Sequence, residues 1–178
     1  MWVGALAPTR TERDSFAEAA KYNAVCYERS RRMLIDGLID MKPRGAYVLY
    51  LKLSLPLRLA VGSLGMVFFP AGFYAYVGSA RKGLAARVAR HKRLAVRKSG
   101  NPHWHVDFLL VHPQASWAGE TILEEGVECE VSKQIASQQG VRAPVPGFGS
   151  SDCRLGCRAH LYLLPKNHAL NKGGIFSR

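Results

Sequence analysis

Residues 59–80 contain no charged side chain, and this long segment limits the folds that the chain can adopt. The segment is long enough to cross a bilayer as a helix. Glycine and proline residues interrupt it, however, and its apolar pieces are short and rich in valine, phenylalanine and tyrosine, which favour strands. We therefore expect strands joined by turns rather than a membrane helix, at Leu57–Val61, Met66–Phe69 and Phe73–Val77.

The remaining pattern predicts an α/β domain over residues 43–164, with a small central antiparallel or mixed sheet flanked by helices. Further strands are predicted at Ala46–Leu53, His103–Val111 and Ala159–Leu164, and helices at Gly83–Arg97 and Glu124–Gln138. The first of these helices is basic and amphipathic, with inward positions at Leu84, Val88, Leu94 and Ala95. Residues 1–42 are predicted to be a helical N-terminal appendage and residues 165–178 a loose tail.

The net charge of the chain lies in one block. The formal net charge is +12, and no aspartate or glutamate occurs between Met41 and Val106. This basic block holds 12 of the 25 lysines and arginines, while the other 13 balance the 13 acids. Because a field of one sign attracts polyanions, we expect a nucleic-acid partner, DNA in particular, although a generally basic solvated surface is the alternative.

Four cysteines are present, and the N-terminus carries no pattern typical of a secretory signal. We therefore expect a reduced, cytoplasmic environment without a disulfide framework and without a membrane partner. Cys129, Cys153, Cys157 and His160 could hold a structural zinc ion, but their spacing is irregular for a zinc finger. Free cysteines are also often simply buried.

Two short motifs and one arginine suggest chemistry on a phosphodiester. The motifs are Gly45-Ala46-Tyr47 and Tyr76-Val77-Gly78, each in a predicted strand, and the arginine is Arg87 in the basic helix. Phosphodiester hydrolysis needs a base for water, a cation for the phosphate, and a divalent metal held by a carboxylate. Tyrosine is an unusual base because its free pKa is ~10. Neighbouring cations and the metal could lower that pKa, since the basic block would place both tyrosines in a positive field.

These residues resemble the GIY-YIG endonuclease superfamily, and more closely its prokaryotic Uri-superfamily endonuclease group. The resemblance covers roughly residues 43–164 and includes His91, one helical turn after Arg87. The matching segments are Tyr74 to Ala80, His103 to Leu110, Glu128-Cys129-Glu130 and Gly147 to Cys153. Two departures are a wider separation of the two triplets, which implies an extra hairpin, and Ala46 in place of a larger residue. Ala46 is tolerable there if its side chain points away from the site.

The resemblance implies roles for individual residues. Tyr47 would activate water, Tyr76 would assist it or orient the phosphate, and Arg87 would bind the phosphate. His91, on the same helix face as Arg87, is a further catalytic candidate. Gly78, Lys82 and Arg90 would contact the substrate, with Gly78 allowing close approach of the backbone. Apart from the resemblance, both tyrosines could be ordinary strand aromatics, and the basic helix face could be merely solvated.

The expected metal is Mg²⁺ or Mn²⁺, held by Glu128 or Glu130. The two side chains cannot both point at one site from a helix, and Val127, Val131 and Ile135 define its buried stripe. Glu128 lies about 60° from the centre of that stripe and Glu130 about 100°. We therefore favour Glu128, at the edge of burial, although either could be a surface carboxylate.

His103, His105 and Asp107 would share one face of a strand. They could bind a metal, line a nucleic-acid groove or form an internal hydrogen-bond network, and we favour the network. Taken together, the sequence predicts a metal-dependent endonuclease acting on DNA, including branched, single-stranded or damaged forms. The alternatives are a non-catalytic nucleic-acid-binding module that uses the same basic groove, and a zinc-stabilised adaptor. The oligomeric state is open.

Overall fold

A four-stranded antiparallel sheet forms the centre of the protein in the computed structural model, which describes residues 45–165. The predicted appendage (1–42) and nearly all of the predicted tail (165–178) lie outside the described residues. The order of strands in the sheet is β5-β1-β4-β6, and β2 and β3 form a separate two-stranded ribbon. The strands are β1 (Gly45–Leu53), β2 (Leu57–Ala60), β3 (Met66–Phe69), β4 (Gly72–Ala80), β5 (Ala115–Leu123) and β6 (Leu161–Leu163).

Three helices accompany the sheet, and a short 3-10 helix, Gly62–Leu64, joins β2 to β3. The α-helices are α1 (Leu84–Arg97), α2 (His105–Leu110) and α3 (Glu128–Ala136). The predicted α/β class is therefore confirmed, as is the interpretation of residues 59–80 as strands and turns. None of the helices in residues 45–165 has the length and apolar character that crossing a bilayer requires.

The two faces of the sheet carry separate apolar clusters. Tyr47, Leu49 and Tyr76 belong to the cluster that includes residues of α1 and α2. Ala46 and Val77 belong to the other cluster, with residues of α3. Alternate side chains of a strand point to opposite faces, so the side chain of Ala46 points away from that of Tyr47. This is the condition under which alanine is tolerable at this position. The predicted inward positions Val88, Leu94 and Ala95 of α1 are buried.

The prediction of a strand at His103–Val111 is wrong, because the centre of this segment, His105–Leu110, forms the helix α2. The alternation of polar residues suggested a strand, whereas the buried residues Val106, Leu109 and Leu110 follow the helical spacing. The carboxylate of Asp107 accepts hydrogen bonds from the backbone N–H groups of His103 and Trp104. A side chain that satisfies these free N–H groups stabilises the start of a helix.

Two further elements differ from the prediction. Strand β5 is not predicted from the sequence. It lies at the edge of the sheet beside β1, with about half of its residues facing solvent. Helix α3 begins at Glu128 rather than at residue 124. A Cβ atom at Gly126 would lie 3.1 Å from the Cβ of Ala46, so the turn between β5 and α3 packs closely on the sheet at this point.

Candidate catalytic site

Tyr47 and Gly78 lie directly opposite each other on the paired strands β1 and β4. A Cβ atom at residue 78 would lie 2.4 Å from both Cζ and the hydroxyl oxygen of Tyr47. Any larger residue would therefore displace the Tyr47 ring. Glycine at this position makes room for the tyrosine, which is a different role from the predicted contact with substrate.

The hydroxyl of Tyr47 begins a buried chain of hydrogen bonds. Its oxygen lies 3.0 Å from Nε2 of His91, and Nδ1 of His91 lies 2.7 Å from a carboxylate oxygen of Asp107. All three side chains are almost fully buried. Because an ionised carboxylate can only accept, Nδ1 of His91 donates to Asp107. In the neutral imidazole, Nε2 is then free to accept the Tyr47 proton.

Asp107 is the fixed negative end of this chain. Burial alone would raise its pKa, but hydrogen bonds from His91, from the two backbone N–H groups that begin α2, and from Arg90 lower the pKa to about 2. The carboxyl is therefore ionised at neutral pH. Asp107 lies in an internal network, as we favoured, but its side-chain partners are His91 and Arg90.

The positive charge of Arg87 lowers the pKa of Tyr47, as expected, but burial outweighs it. Burial raises that pKa well above its ordinary value, and Arg87 lowers it by less. The negative charges of Glu128 and Asp107 raise it further. Tyr47 is therefore a neutral phenol near pH 7. It could take a proton from water only while passing its own proton to another group, and the group within hydrogen-bond distance is His91.

Two arginines pack against the ring of Trp104. The guanidinium carbon of Arg87 lies 4.5 Å from the centre of the Trp104 ring, and that of Arg90 lies 4.8 Å from it. A nitrogen of Arg87 also donates to the backbone oxygen of Ser79 at 2.8 Å. Sequence reasoning gave Trp104 no role. The sequence signal that could have pointed to Trp104 is that it lies in the matching segment His103 to Leu110, which also contains Asp107.

The predicted substrate contacts Arg90 and Lys82 have different surroundings. Arg90 forms an ion pair with Asp107 at 2.9 Å and donates to the backbone oxygen of Asn101. Lys82 is exposed in the turn between β4 and α1. Arg90 thus has a structural partner already, whereas Lys82 points to solvent, and their contacts with substrate stay predictions.

Tyr76 lies next to Tyr47, with 6.5 Å between the ring centres. Its ring also packs edge-on against Phe148, at 6.2 Å. Burial raises the pKa of Tyr76 most strongly, and the neighbouring Tyr47 and the negative charge of Glu128 raise it further. The two tyrosines of the motifs therefore lie side by side on one face of the sheet, Tyr47 near the end where β1 begins and Tyr76 at the middle of β4. The negative charge of Glu128 acts on both.

Glu128 is the candidate metal carboxylate that the structure brings to this end of the sheet. One of its oxygens accepts the hydroxyl hydrogen of Ser79 at 2.5 Å, and the other lies 3.1 Å from Nδ1 of His160. Its side chain is 27% exposed, so its remaining lone pairs can reach solvent. Glu130, the alternative, is an exposed residue of the same helix.

The histidines near α2 do not form the predicted shared face. His105 accepts the backbone N–H of Gly149 through Nδ1 at 3.0 Å, which ties α2 to the loop before β6. His103 packs edge-on against Trp104, with ring centres 4.4 Å apart. The proposed trio with Asp107 required a strand, and the helix separates these side chains.

A second cluster of chemically reactive groups lies behind Glu128. One potential ligand atom from each of Cys129, Cys153, Cys157 and His160 lies within 4.8 Å of the others, so this set could bind a metal ion. The three cysteines are free thiols. We call them, with His160, the Cys3His cluster.

A cleft of about 530 Å³ lies beside the Cys3His cluster, lined by Cys157, Tyr162 and three basic residues. These basic residues are Lys133, Arg142 and Arg158. Tyr47, Arg87 and Glu128 do not line this cleft. The cleft and the candidate catalytic site are therefore lined by different residues.

The hydrogen bonds of Asp107 lead to a prediction about stability. A carboxyl whose pKa is lower in the folded state stabilises the fold above its unfolded pKa, and this stabilisation is lost as pH falls through the folded value. We expect Asp107→Asn to reduce the free energy of unfolding at pH 7 by about 2 kcal/mol or more. Denaturant unfolding should show a difference from wild type that shrinks between about pH 4 and pH 2.

The exposed Asp152 provides the control, because Asp152→Asn removes the same charge from the surface. This control should unfold like wild type. If Asp107→Asn matches wild type at pH 7, or if the difference does not change with pH, then the network around Asp107 does not stabilise the fold as described.

A family model described as "Domain of unknown function DUF123" matches residues 46–174. The matched range includes Tyr47, Arg87, Asp107 and Glu128, as well as the Cys3His cluster. No curated protein and no solved structure matches the chain.

Proposed function

Because the chain belongs to the family described as domain of unknown function DUF123, whose description names no activity, we propose an activity from the site itself. We propose a metal-dependent endonuclease of the GIY-YIG type that hydrolyses phosphodiester bonds in DNA, including branched, single-stranded or damaged forms. The observation that carries this proposal is the buried chain from Tyr47 through His91 to Asp107, next to a fixed arginine and a carboxylate. The two tyrosine–glycine motifs that resemble that superfamily support it.

In this mechanism, Tyr47 and His91 relay a proton away from the attacking water. The oxygen of water bonds to phosphorus as the bond from phosphorus to the leaving oxygen breaks. The water proton moves to the oxygen of Tyr47 while the Tyr47 hydroxyl proton moves to Nε2 of His91. The leaving oxygen takes up a proton from solvent. Asp107 stabilises the imidazolium that forms, as a buried carboxylate does for a histidine base.

Arg87 is the cation that would bind the reacting phosphate. Its guanidinium carries five N–H donors, and one nitrogen already donates to the backbone oxygen of Ser79. The contact with Trp104 holds the guanidinium plane in one orientation. The remaining donors are therefore presented in a fixed direction, which favours binding of the charge that develops on phosphate in the transition state.

Glu128 is the residue that would hold Mg²⁺ or Mn²⁺. Magnesium prefers oxygen ligands and usually binds one or two carboxylates together with substrate phosphates, so a single part-exposed glutamate suits it. When bound, the ion would neutralise charge on the phosphate and the leaving oxygen. Ser79 and His160 hold one oxygen of Glu128 each, and the carboxylate orientation is thereby fixed.

The charge of the surface around this site favours the binding of a polyanion. In the part of the chain that the structure describes, only two cations of the basic block form ion pairs, Arg90 with Asp107 and Lys92 with Glu120. Several others are exposed on α1 or in the turn before it, namely Arg81, Lys82, Arg93 and Arg97. These side chains are available for backbone phosphates without first breaking an ion pair.

A cleavage assay tests the proposal. Labelled duplex, flap, single-stranded and branched DNA would each be incubated with the protein in Mg²⁺, in Mn²⁺ and in EDTA. We expect cleavage of at least one form with a divalent ion and none in EDTA. The alternative is a binding module, which is favoured by the raised pKa of Tyr47. Tight binding without cleavage of any form would support the module and reject the enzyme.

The affinity for DNA is expected to depend strongly on salt. Each phosphate that the protein neutralises on duplex DNA contributes a slope of about −0.9 to log affinity against log salt. With several unpaired cations near the site, we expect a slope of about −3 or steeper. Fluorescence anisotropy with a labelled duplex at a series of salt concentrations measures it. An affinity that does not change with salt would contradict a role for the basic block.

A further inference from the structure

We propose that Cys129, Cys153, Cys157 and His160 bind one structural Zn²⁺ ion, which fixes the loop before β6 to the start of α3. This inference does not depend on the proposed nuclease activity. Three thiolates and one imidazole are a common ligand set of structural zinc sites, which are tetrahedral and leave no coordination position open.

The positions of the sulfur atoms fit a tetrahedral ion. The Sγ atoms of Cys129 and Cys153 are 3.4 Å apart, and all four potential ligand atoms lie within 4.8 Å of one another. With zinc–sulfur bonds of ~2.3 Å, two thiolates of one tetrahedral site lie about 3.8 Å apart. The side chains therefore need to move by no more than about 1 Å to reach a shared ion. A disulfide needs sulfur atoms at ~2.05 Å, much closer than observed.

His160 supplies an independent observation that points to a ligand. Its side chain is 3% exposed, and Nε2 is buried without a hydrogen-bond partner. A buried polar atom without a partner costs free energy, so native structures rarely contain one. Nδ1 faces the Glu128 carboxylate at 3.1 Å and donates to it, which leaves a lone pair on Nε2. A carboxylate on the far nitrogen is the usual support of a zinc-bound histidine.

The surrounding loop also needs such a link. Residues 137–160, all of them described, contain no helix or strand beyond an isolated bridge between Arg142 and Leu163. Irregular segments of this length are uncommon unless something organises them. The buried apolar residues of this loop are Val145, Phe148 and Ala159. Three of the four ligands come from its last eight residues, and Cys129 comes from α3, so one ion would fasten the loop to the helix.

The same ion would fix the orientation of Glu128. With Nε2 on zinc, the ring of His160 cannot rotate, and its Nδ1–H keeps its direction toward the glutamate. Zinc would thus act on the candidate catalytic site through His160, as a positioning element. It would not contact the substrate.

Metal analysis of the purified full chain is the first test. We expect about one zinc per chain in wild type, and at least a fivefold lower content in Cys153→Ser and Cys157→Ser. Cys26→Ser removes the chain's remaining cysteine and is the matched control, so it should keep its zinc. Equal loss of zinc in Cys26→Ser, or wild type without zinc after growth in zinc-supplemented medium, would overturn the proposal.

Two measurements on wild type avoid the risk that a variant fails to fold. Protein stripped of metal and reduced would be titrated with Co²⁺, and we expect the intense visible bands of tetrahedral cobalt with thiolate ligands at one ion per chain. Restoring Zn²⁺ should raise Tm by on the order of 10 °C. A cobalt spectrum without these bands, or a disulfide between Cys129 and Cys153 in the protein as purified, would overturn the proposal.

Discussion

Tyr47→Phe is expected to abolish DNA cleavage while leaving a folded protein with near-normal DNA affinity. Phenylalanine keeps the buried ring opposite Gly78 and removes only the oxygen that lies 3.0 Å from His91. A proton relay through that oxygen is then impossible. Loss of a general base lowers rates by roughly 10²- to 10⁴-fold, so the cleavage rate of Tyr47→Phe should fall by at least about 10²-fold. The variant leaves Nε2 of His91 buried without this partner, which costs about 1–3 kcal/mol of stability.

The measurement is single-turnover cleavage of the best substrate by wild type and variant, with anisotropy for affinity and circular dichroism for folding. Tyr50→Phe is a suitable control, because Tyr50 is a buried tyrosine of the same strand on the opposite face of the sheet. We expect this control to cleave like wild type. Equal cleavage by Tyr47→Phe and wild type would make Tyr47 a packing residue.

The pH profile separates two versions of this chemistry. A tyrosine that must ionise before it acts would give a rate that rises about tenfold per pH unit from roughly pH 7 to pH 9, because burial raises the pKa of Tyr47 above ~10. The relay to His91 keeps Tyr47 neutral before the reaction. We therefore expect no tenfold rise per unit in this range. A rise of that size would support the ionised tyrosine and reject the relay.

The strands of the site could be predicted because their signals are local. Runs such as Ala46–Leu53 and Phe73–Val77 are apolar, rich in strand-forming residues and separated by turns, and the structure has strands at both places. Helix α2 could not be predicted with the same reasoning, because His103, His105 and Asp107 imitate the alternation of a strand. What decides the helix is the capping contact of Asp107 with the N–H groups of His103 and Trp104. The helical spacing of the buried residues Val106, Leu109 and Leu110 agrees with it.

The chemistry of the site depended on contacts between distant residues. Asp107 and His91 are separated by a loop, and Tyr47 reaches His91 only because α1 packs on β1. No local pattern specifies these pairs. The Cys3His cluster also joins residues that are distant in sequence, since Cys129 lies in the first turn of α3 and the other ligands precede β6. The pairing of β6 with β4 brings them together, and the sequence spacing alone made the set look irregular.

Arg87→Ala and Glu128→Gln are expected to reduce cleavage by on the order of a hundredfold or more each, while DNA affinity changes little. Both groups are proposed to stabilise charge that develops only in the transition state, and removal of one such group typically has this effect. A general loss of positive charge would instead weaken binding and leave the bound rate unchanged. Single-turnover rates at saturating protein, measured beside affinity, separate the two effects.

Matched controls are available on the same two helices. Arg93→Ala removes an exposed cation of α1, and Glu130→Gln removes an exposed carboxylate of α3. Both should cleave within a fewfold of wild type. An inactive Glu130→Gln beside an active Glu128→Gln would move the metal ligand to Glu130 and leave the rest of the site in place. If Arg87→Ala and Glu128→Gln both cleave like wild type, the site is misassigned.

The effect of Glu128→Gln must also be separated from any effect on the Cys3His cluster. Glutamine keeps a carbonyl oxygen that can accept from Nδ1 of His160, so the support of the histidine survives. What glutamine loses is the negative charge that a magnesium ion needs. We therefore expect Glu128→Gln to retain its zinc and its Tm, yet to need a much higher Mg²⁺ concentration for any cleavage. A parallel loss of zinc would mean that Glu128 acts through His160 rather than by binding Mg²⁺.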